Sequence, residues 1–161
     1  MNIKYENKII KLQIWDTCGQ EIYRSLISNF YRNSSLAVIV YSIIDASSFD
    51  SIDQWLKELK SNSSPDIKIF LIGNKLDLED QRVITTEQGK MIQTDYNLDL
   101  FVESSARDGK NTEYIFVEAA KLLYNDYVKY KIGNPLIGKT KSTNNKLKKN
   151  ENNKKDKKKC C

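Results

Sequence analysis

Two nearly unbroken apolar runs stand in the middle of the chain, at residues 36–41 (LAVIVY) and residues 67–72 (IKIFLI). Runs of this kind predict central strands that are covered on both faces, as in a parallel sheet packed between helices. Near residues 8–15 apolar and polar positions alternate instead, which predicts a strand with one wetter face, towards an edge of the sheet. A shorter strand is predicted near residues 98–103.

Helical periodicity fills the intervals between these strands. From Ser47 to Leu59 apolar residues recur at helical spacing, and the Ser-x-x-Asp sequence at Ser47 resembles the start of a capping box. A second helix is predicted to open with Thr85, and a third to span residues 112–127. Because strands and helices alternate along the chain, the predicted class is α/β, with a doubly wound, mostly parallel sheet and helices on both of its faces.

Charge divides the chain into a folded part and a tail. The net charge of +5 conceals eleven lysines against two acidic residues within residues 131–161, which carry +9, while residues 1–130 carry −4. Apolar residues become scarce after Tyr130, so we expect one domain at 1–130 and a flexible tail at 131–161. The absence of histidine disfavours a zinc site, and no apolar run reaches the ~18 residues of a membrane span.

Polar clusters occur at three points where a predicted strand ends. They lie at residues 15–21 (WDTCGQE), 73–77 (GNKLD) and 103–106 (ESSA). In open α/β sheets ligands bind beyond the carboxyl ends of the strands. The three clusters therefore predict a single binding site at one edge of the sheet.

In this order and spacing, the three clusters resemble the third, fourth and fifth nucleotide motifs of Ras-like small GTPases. Trp15, the YRSL sequence at residues 23–26 and the terminal Cys160 and Cys161 resemble the Rab branch. The resemblance covers about residues 3–130. It implies a Ras-like fold and a membrane-traffic switch, acting in vesicle-mediated and intracellular protein transport, that binds GTP with Mg²⁺ and hydrolyses the γ-phosphate.

The resemblance also implies how the guanine base is read. Asp77 would accept hydrogen bonds from the N1–H and the exocyclic amine of guanine, a pair of donors that adenine lacks. Asn74 would orient its loop and contact the base, and the stem of Lys75 would lie over the ring. Ser105 and the backbone N–H of Ala106 would close around the guanine oxygen.

A second group of residues is implied to act at the phosphates. Asp16 resembles the carboxylate that holds Mg²⁺ through water, the N–H of Gly19 would contact the γ-phosphate, and Gln20 would orient the attacking water. Two positions depart from the family. Cys18 stands where Ala is usual, which favours quiet packing over a redox role, and Arg107 stands in the base-binding loop where Lys is usual.

Each of these residues has a simpler structural interpretation when it is taken alone. Asn74 and Asp77 are typical of turns that follow a strand. Asp16, Ser104 and Ser105 are typical of helix N-caps. The order and spacing of all three motifs favour the nucleotide interpretation.

The front of the family's nucleotide site has no counterpart in this sequence. The chain begins inside what resembles the family's second strand, so we expect the first strand, the phosphate loop, the first helix and switch I to be missing, roughly 40 residues on the scale of a βαβ unit. In the family that first strand lies between the strands matched here by residues 10–15 and 36–41. We therefore expect an incomplete sheet, a truncated gene product, and a chain that is inactive as a GTPase by itself.

One stretch does match the phosphate-loop pattern GxxxxGK[ST], at residues 133–140. A working loop needs a buried strand before it and a helix after it, and the lysine-rich residues 141–159 do not predict that helix. A circularly permuted GTPase is therefore a minor alternative.

The expected partners follow from the Rab resemblance. They are guanine nucleotide, Rab exchange and activating proteins, an escort protein, a prenyltransferase, and effectors. Proteins would bind a switch II surface made of Ile22, Tyr23, Leu26, Ile27, Phe30 and Tyr31. Prenylation of Cys160 and Cys161, with the basic tail, would anchor a monomer to the cytoplasmic face of an endomembrane and leave a cytosolic pool.

Two other functions stay open. One is a non-catalytic, nucleotide-free short form that binds Rab regulators or effectors. The other is a nucleic-acid binder, which is disfavoured because the lysines lack interleaved aromatic residues and precede two cysteines that fit a lipidation signal.

Overall fold

The strands in the described part of this protein belong to two separate sheets. The computed structural model describes residues 1–17 and 31–133. Two strands form an antiparallel hairpin, β1 (Asn2–Tyr5) and β2 (Lys8–Lys11). Three form a parallel sheet in the order β3-β4-β5, namely β3 (Leu36–Ser42), β4 (Lys68–Asn74) and β5 (Leu100–Glu103).

The hairpin is closed by a two-residue turn. Glu6 and Asn7 have φ angles of 45° and 59°, the positive values that a tight turn between twisted strands requires at both positions. The strand predicted at residues 8–15 is wrong in its length, because β2 ends at Lys11 and residues 12–17 form no regular structure. Just beyond β2, the N–H of Leu12 donates to the carbonyl of Met1, and the amino group of Met1 donates to the carbonyl of Leu12.

Helices connect the strands of the parallel sheet. They are α1 (Ala46–Asp50), α2 (Ile52–Asn62), a 3-10 helix (Leu76–Gln81), α3 (Thr86–Tyr96) and α4 (Thr112–Gly133). The prediction that a helix opens at Thr85 is confirmed, and the structure adds a capping box there, since the side chains of Thr85 and Gln88 each accept a hydrogen bond from the other's backbone N–H. Asp45, and not Ser47, caps the first helix, because its carboxylate accepts the Ser47 N–H. The fold is the α/β class that the sequence predicts.

The two faces of the parallel sheet bury different helices. On one face, Tyr41, Ile69 and Leu71 pack against α2 in the larger core cluster. On the other face, Phe70 and Ile72 pack against α4. The hairpin also lies against α4, where the rings of Tyr5 and Tyr124 meet edge to face with centroids 5.7 Å apart.

One face of β3 is open within the described part of the chain. Val38 and Val40 are 41% and 56% exposed, whereas their partners across the ladder, Phe70 and Ile72, are 1% and 2% exposed. The prediction that both central runs are covered on both faces is therefore confirmed for β4 and wrong for β3. Helix α4 packs on β4 and β5 and its cluster reaches Leu36 at the start of β3, but Val38 and Val40 on the same face stay exposed, and β3 is the edge of its sheet among the described strands.

This difference in burial predicts that shortening two neighbouring side chains lowers the free energy of unfolding by different amounts. Ile72→Ala should lower the free energy of unfolding by about 2–5 kcal/mol, because it opens a cavity under α4. Val40→Ala, directly across the ladder, should cost about 1 kcal/mol or less, because much of that side chain already contacts water. Urea unfolding of both variants measures the difference. Equal losses would mean that another part of the protein covers Val40.

Candidate functional site

The polar segments that follow β4 and β5 are joined by backbone hydrogen bonds. The two strands pair in parallel up to Gly73 and Glu103. Beyond that pair, the N–H of Ser104 donates to the carbonyl of Gly73 over 2.8 Å, and the N–H of Leu76 donates to the carbonyl of Ser104 over 2.9 Å. The fourth and fifth motifs of the sequence therefore form one continuous site.

Ser105 ties the two motifs together through its side chain. It is fully buried, and its hydroxyl donates to Oδ1 of Asp77 over 2.7 Å while accepting the N–H of Asp108 over 3.0 Å. A hydroxyl that accepts from a backbone N–H has its own proton directed elsewhere. Here that proton points at the Asp77 carboxylate and fixes its orientation.

Asn74 holds the fifth motif from the other side. Its Oδ1 accepts the N–H of Ala106 over 3.0 Å, which ties Asn74 to the loop that follows β5. This hydrogen bond occupies the Ala106 N–H, which was expected to bond the guanine oxygen. The bond from Ala106 to the base stays a prediction. To form it, the N–H must be shared between Asn74 and the base or released by Asn74.

Two cations flank the Asp77 carboxylate. Lys75 is exposed and lies in the left-handed region at φ 70°, an uncommon conformation for a side chain with a Cβ, which hydrogen bonds on both sides hold in place. The guanidinium of Arg107 is 75% exposed, with Nη1 at 3.7 Å from Oδ2 of Asp77. The exposure means that Arg107 can move aside at little cost.

The surroundings keep Asp77 ionised. The hydrogen bond from Ser105 is the largest cause that lowers the pKa of Asp77 below its usual value, and the charges of Arg107 and Lys75 act in the same direction. The side chain is only 9% exposed. An ionised carboxylate accepts hydrogen bonds and donates none, so this site selects a ligand edge that presents N–H groups.

Of the residues expected at the phosphates, only Asp16 belongs to the described part of the chain. Asp16 is exposed in the irregular segment after β2, and the prediction that its cluster follows a strand directly is wrong because β2 ends at Lys11. Gly19, Gln20 and Cys18 lie outside the described residues, as do Cys160 and Cys161. Within residues 1–17 and 31–133, no three acidic, histidine or cysteine side chains are grouped as a metal site. Asp16 alone therefore represents the expected Mg²⁺ position in the described part, and its role stays a prediction.

Most of the expected switch II surface also lies outside the described residues. Of its members only Tyr31 is described, and its ring packs against the larger core cluster.

Among the helices that the structure describes, none combines the length and the apolar character that a membrane span requires.

The sequence analysis missed the residues that hold the far side of the Ser105 loop. Nδ2 of Asn111 donates to the carbonyl of Glu103 over 2.7 Å, and the N–H of Ser105 donates to the carbonyl of Lys110 over 3.0 Å. Gly109 and Asn111 have φ angles of 76° and 61°. A signal was present in the sequence, since Asp-Gly-Lys-Asn is a turn-forming stretch.

The family of this chain follows from comparison with known proteins. The model of the Ras family matches residues 1–125. This chain belongs to the Ras family, in its Rab branch. Among curated proteins it is 47% identical over 115 residues to GTP-binding protein ypt3 of Schizosaccharomyces pombe, a match that covers 71% of the chain and 53% of that protein.

Two further Rab relatives are similar over comparable lengths. Ras-related protein Rab-11B of Dictyostelium discoideum is 40% identical over 129 residues, which cover 80% of this Rab-branch chain and 58% of that protein. Ras-related protein RABA1b of Arabidopsis thaliana is 40% identical over 122 residues, which cover 76% and 56%. The chain thus spans about half the length of the curated relatives it matches.

The hydrogen bond from Ser105 gives this Rab-branch site a testable pH dependence. This hydrogen bond lowers the pKa of Asp77 in the folded protein below its value in the unfolded chain. The bond therefore stabilises the fold above about pH 4, and this stabilisation is lost as the pH falls through the lowered pKa. Ser105→Ala should move the pKa of Asp77 upward, towards its usual value. Carbon NMR of the Asp77 carboxyl group measures the change. Ser104→Ala removes the neighbouring buried hydroxyl as a control, and an equal shift in both variants would contradict the assignment.

Proposed function

We propose that this chain carries the base-reading half of a Rab-type GTPase, which in its complete form binds and hydrolyses GTP in membrane traffic. The observation that carries the proposal is the Asp77 carboxylate, held by Ser105 beside the Asn74 loop at the carboxyl ends of β4 and β5. Membership of the Rab branch supports it independently.

The chemistry of the carboxylate matches guanine. Two carboxylate oxygens offer about four acceptor positions, and Ser105 occupies one of them on Oδ1. Asp77 therefore keeps acceptor capacity for two adjacent N–H donors, which the N1–H and exocyclic amine of guanine supply. Adenine has a hydrogen-bond acceptor at N1. Adenine N1 and the ionised Asp77 carboxylate would therefore be two acceptors facing each other, with no proton to form a hydrogen bond.

Binding of the nucleotide phosphates requires groups other than those of the Asp77 site. In P-loop proteins a loop of backbone N–H groups surrounds the phosphates, and a Lys and a Ser/Thr complete the site. The open face and edge of β3 lie on the side where the Rab resemblance places the strand that leads into this loop. We expect Asp16 to hold Mg²⁺ through water and Gly19 and Gln20 to act at the γ-phosphate once that loop is present. The 161-residue polypeptide alone should bind GTP only weakly.

Base recognition can be tested in a longer form of the protein that includes a phosphate loop. Asp77→Asn should lower the affinity for GDP about a hundredfold and raise that for xanthosine diphosphate, because the new amide donates to the additional carbonyl of xanthine. Titration with fluorescent nucleotides measures both. Asp80→Asn, an exposed carboxylate on the same 3-10 helix, is the matched control and should change neither. If the unsubstituted protein ignored guanine nucleotides but bound Rab regulators, the non-catalytic alternative would replace this proposal.

The terminal cysteines provide a separate test of membrane attachment. Two prenyl groups, or one prenyl group with a basic segment, hold a protein stably on a membrane, whereas one lipid group alone gives only weak, reversible membrane binding. We expect the protein to sediment with membranes in cells of its own kind, and the double variant Cys160→Ser, Cys161→Ser to become soluble. Replacing the lysines at 154, 155 and 157–159 with Gln should redistribute the protein among membranes without releasing it, because each Lys near an anionic leaflet adds only about 1 kcal/mol. Sedimentation of the double-Ser variant with membranes would refute the anchor.

A further inference from the structure

The most extensively hydrogen-bonded side chain in the described part of the chain is Arg82, to which neither the motifs nor the family comparison assigns a role. It directly follows the 3-10 helix that carries Asp77. Its guanidinium has five N–H donors, and the structure shows five hydrogen bonds. They run from Nη1 to Glu103 Oε1 (2.6 Å) and the Ile84 carbonyl (2.8 Å), from Nη2 to Glu103 Oε2 (3.0 Å) and Glu79 Oε2 (2.7 Å), and from Nε to Glu79 Oε1 (2.8 Å).

The two carboxylates that Arg82 binds are not equivalent. The side chains of Arg82 and Glu103 are 15% and 13% exposed, whereas that of Glu79 is 58% exposed. A solvent-exposed pair contributes little to a fixed geometry, but a bidentate pair that is largely removed from water is strong and directional. The Arg82–Glu103 pair is therefore the contact that determines the position of the guanidinium, and Thr86 supports it by donating to Oε2 of Glu103 over 3.1 Å.

This pair joins the two segments that form the base-reading site. Glu103 is the last residue of β5 and directly precedes Ser104 and Ser105, while Arg82 ends the segment that carries Asp77. The 3-10 helix is thus attached to the end of β5 at both of its ends: by the N–H of Leu76 at its start and by Arg82 just after its last turn.

The helix needs both attachments because it is weak by itself. Short 3-10 helices have poor hydrogen-bond geometry, and this one is interrupted at Leu78, whose φ and ψ of −107° and 36° are not helical. Just beyond Arg82 the chain is anchored on the β3 side, where the N–H groups of Val83 and Ile84 both donate to the carbonyl of Ile43. The guanidinium of Arg82 is what attaches this end of the helix to β5. Without it, Asp77 would sit on a segment that is tied to β5 at its start and can tilt relative to Ser105.

We propose that Arg82 is a positioning residue for base recognition, which holds the Asp77 helix against the end of β5 through Glu103 so that the carboxylate meets its ligand in a fixed orientation. The proposal rests on the proposed function of the site. It assigns Arg82 no contact with the nucleotide. Its effect is on the precision with which Asp77 distinguishes guanine from bases that lack the exocyclic amine.

The first experiment uses the 161-residue chain and needs no nucleotide. Amide hydrogen exchange is measured at Ala106 and Asp108, whose N–H groups bond Asn74 and Ser105. Arg82→Gln should speed exchange at both amides at least tenfold and leave the centre of β4 unchanged. Arg82→Lys, which keeps the charge but loses the bidentate fork, should give an intermediate effect and remains usable if Arg82→Gln fails to fold.

Matched variants control for the loss of a surface charge. Lys57→Gln removes the cation of an exposed ion pair on α2, and Glu79→Gln removes the exposed partner of Arg82 itself. Neither should change exchange at Ala106 or Asp108 by more than about twofold. Unchanged exchange in the Arg82 variants, or an equal effect of Lys57→Gln, would overturn the proposal.

The second experiment uses the longer form with a phosphate loop and compares GDP with inosine diphosphate, which lacks the exocyclic amine. The unsubstituted protein should prefer GDP, and Arg82→Gln should reduce that preference at least fivefold, with partial recovery in Arg82→Lys. An equal loss of affinity for both nucleotides would indicate general loosening and would overturn the positioning role. If the unsubstituted protein showed no preference for GDP, the proposed function would fail, while the exchange experiment would still decide whether Arg82 holds the site together.

Discussion

The pairing of β4 with β5 is the constraint on which the rest of the site depends. The parallel register runs from Phe70 opposite Leu100 to Gly73 opposite Glu103, so both strands end at the same level of the sheet. Because side chains alternate across a strand, a slip by one residue would turn every side chain of β5 to the other face. The Ser105 hydroxyl would then no longer meet the Asp77 carboxylate, and the Glu103 carboxylate would leave Arg82.

The same register brings together the side chains that link the segments after β4 and β5. The buried Ser105 hydroxyl, the Asn74 amide and the Arg82 guanidinium each bridge the segments after β4 and β5, at different points along them. Polar side chains this well enclosed are stable only when their hydrogen bonds are made, and most of these bonds are made within the protein. The Asp77 carboxylate keeps free acceptor positions, which is the arrangement expected of a preorganised recognition group.

Burial is distributed unevenly around the parallel sheet, and this unevenness separates two functions. The β4–β5 half is packed on both faces and carries the base-reading groups. The β3 side presents two exposed valines, Val38 and Val40, and an edge without a described neighbour. In the proposed function, this is the side that faces the phosphate-binding segment. Recognition of the base and retention of the phosphates would thus depend on different parts of the protein.

The sequence by itself determined the features that depend on local pattern. Apolar runs and helical periodicity predicted the α/β class, Thr85 marked the start of a helix, and the polar cluster at residues 73–77 was predicted where a strand ends. The motifs identified the family for the same reason, since they are short and ordered along the chain.

Only the tertiary structure decided the features that depend on a partner far away in sequence. Val38 and Val40 on one face of β3 are exposed because α4 packs mainly on β4 and β5, which is not encoded in the pattern of the strand itself. Ser105 reaches Asp77 across 28 residues and Arg82 reaches Glu103 across 21. Hydrophobic periodicity records which face of an element is apolar, but the residue that meets a given side chain is fixed by strand register and helix packing.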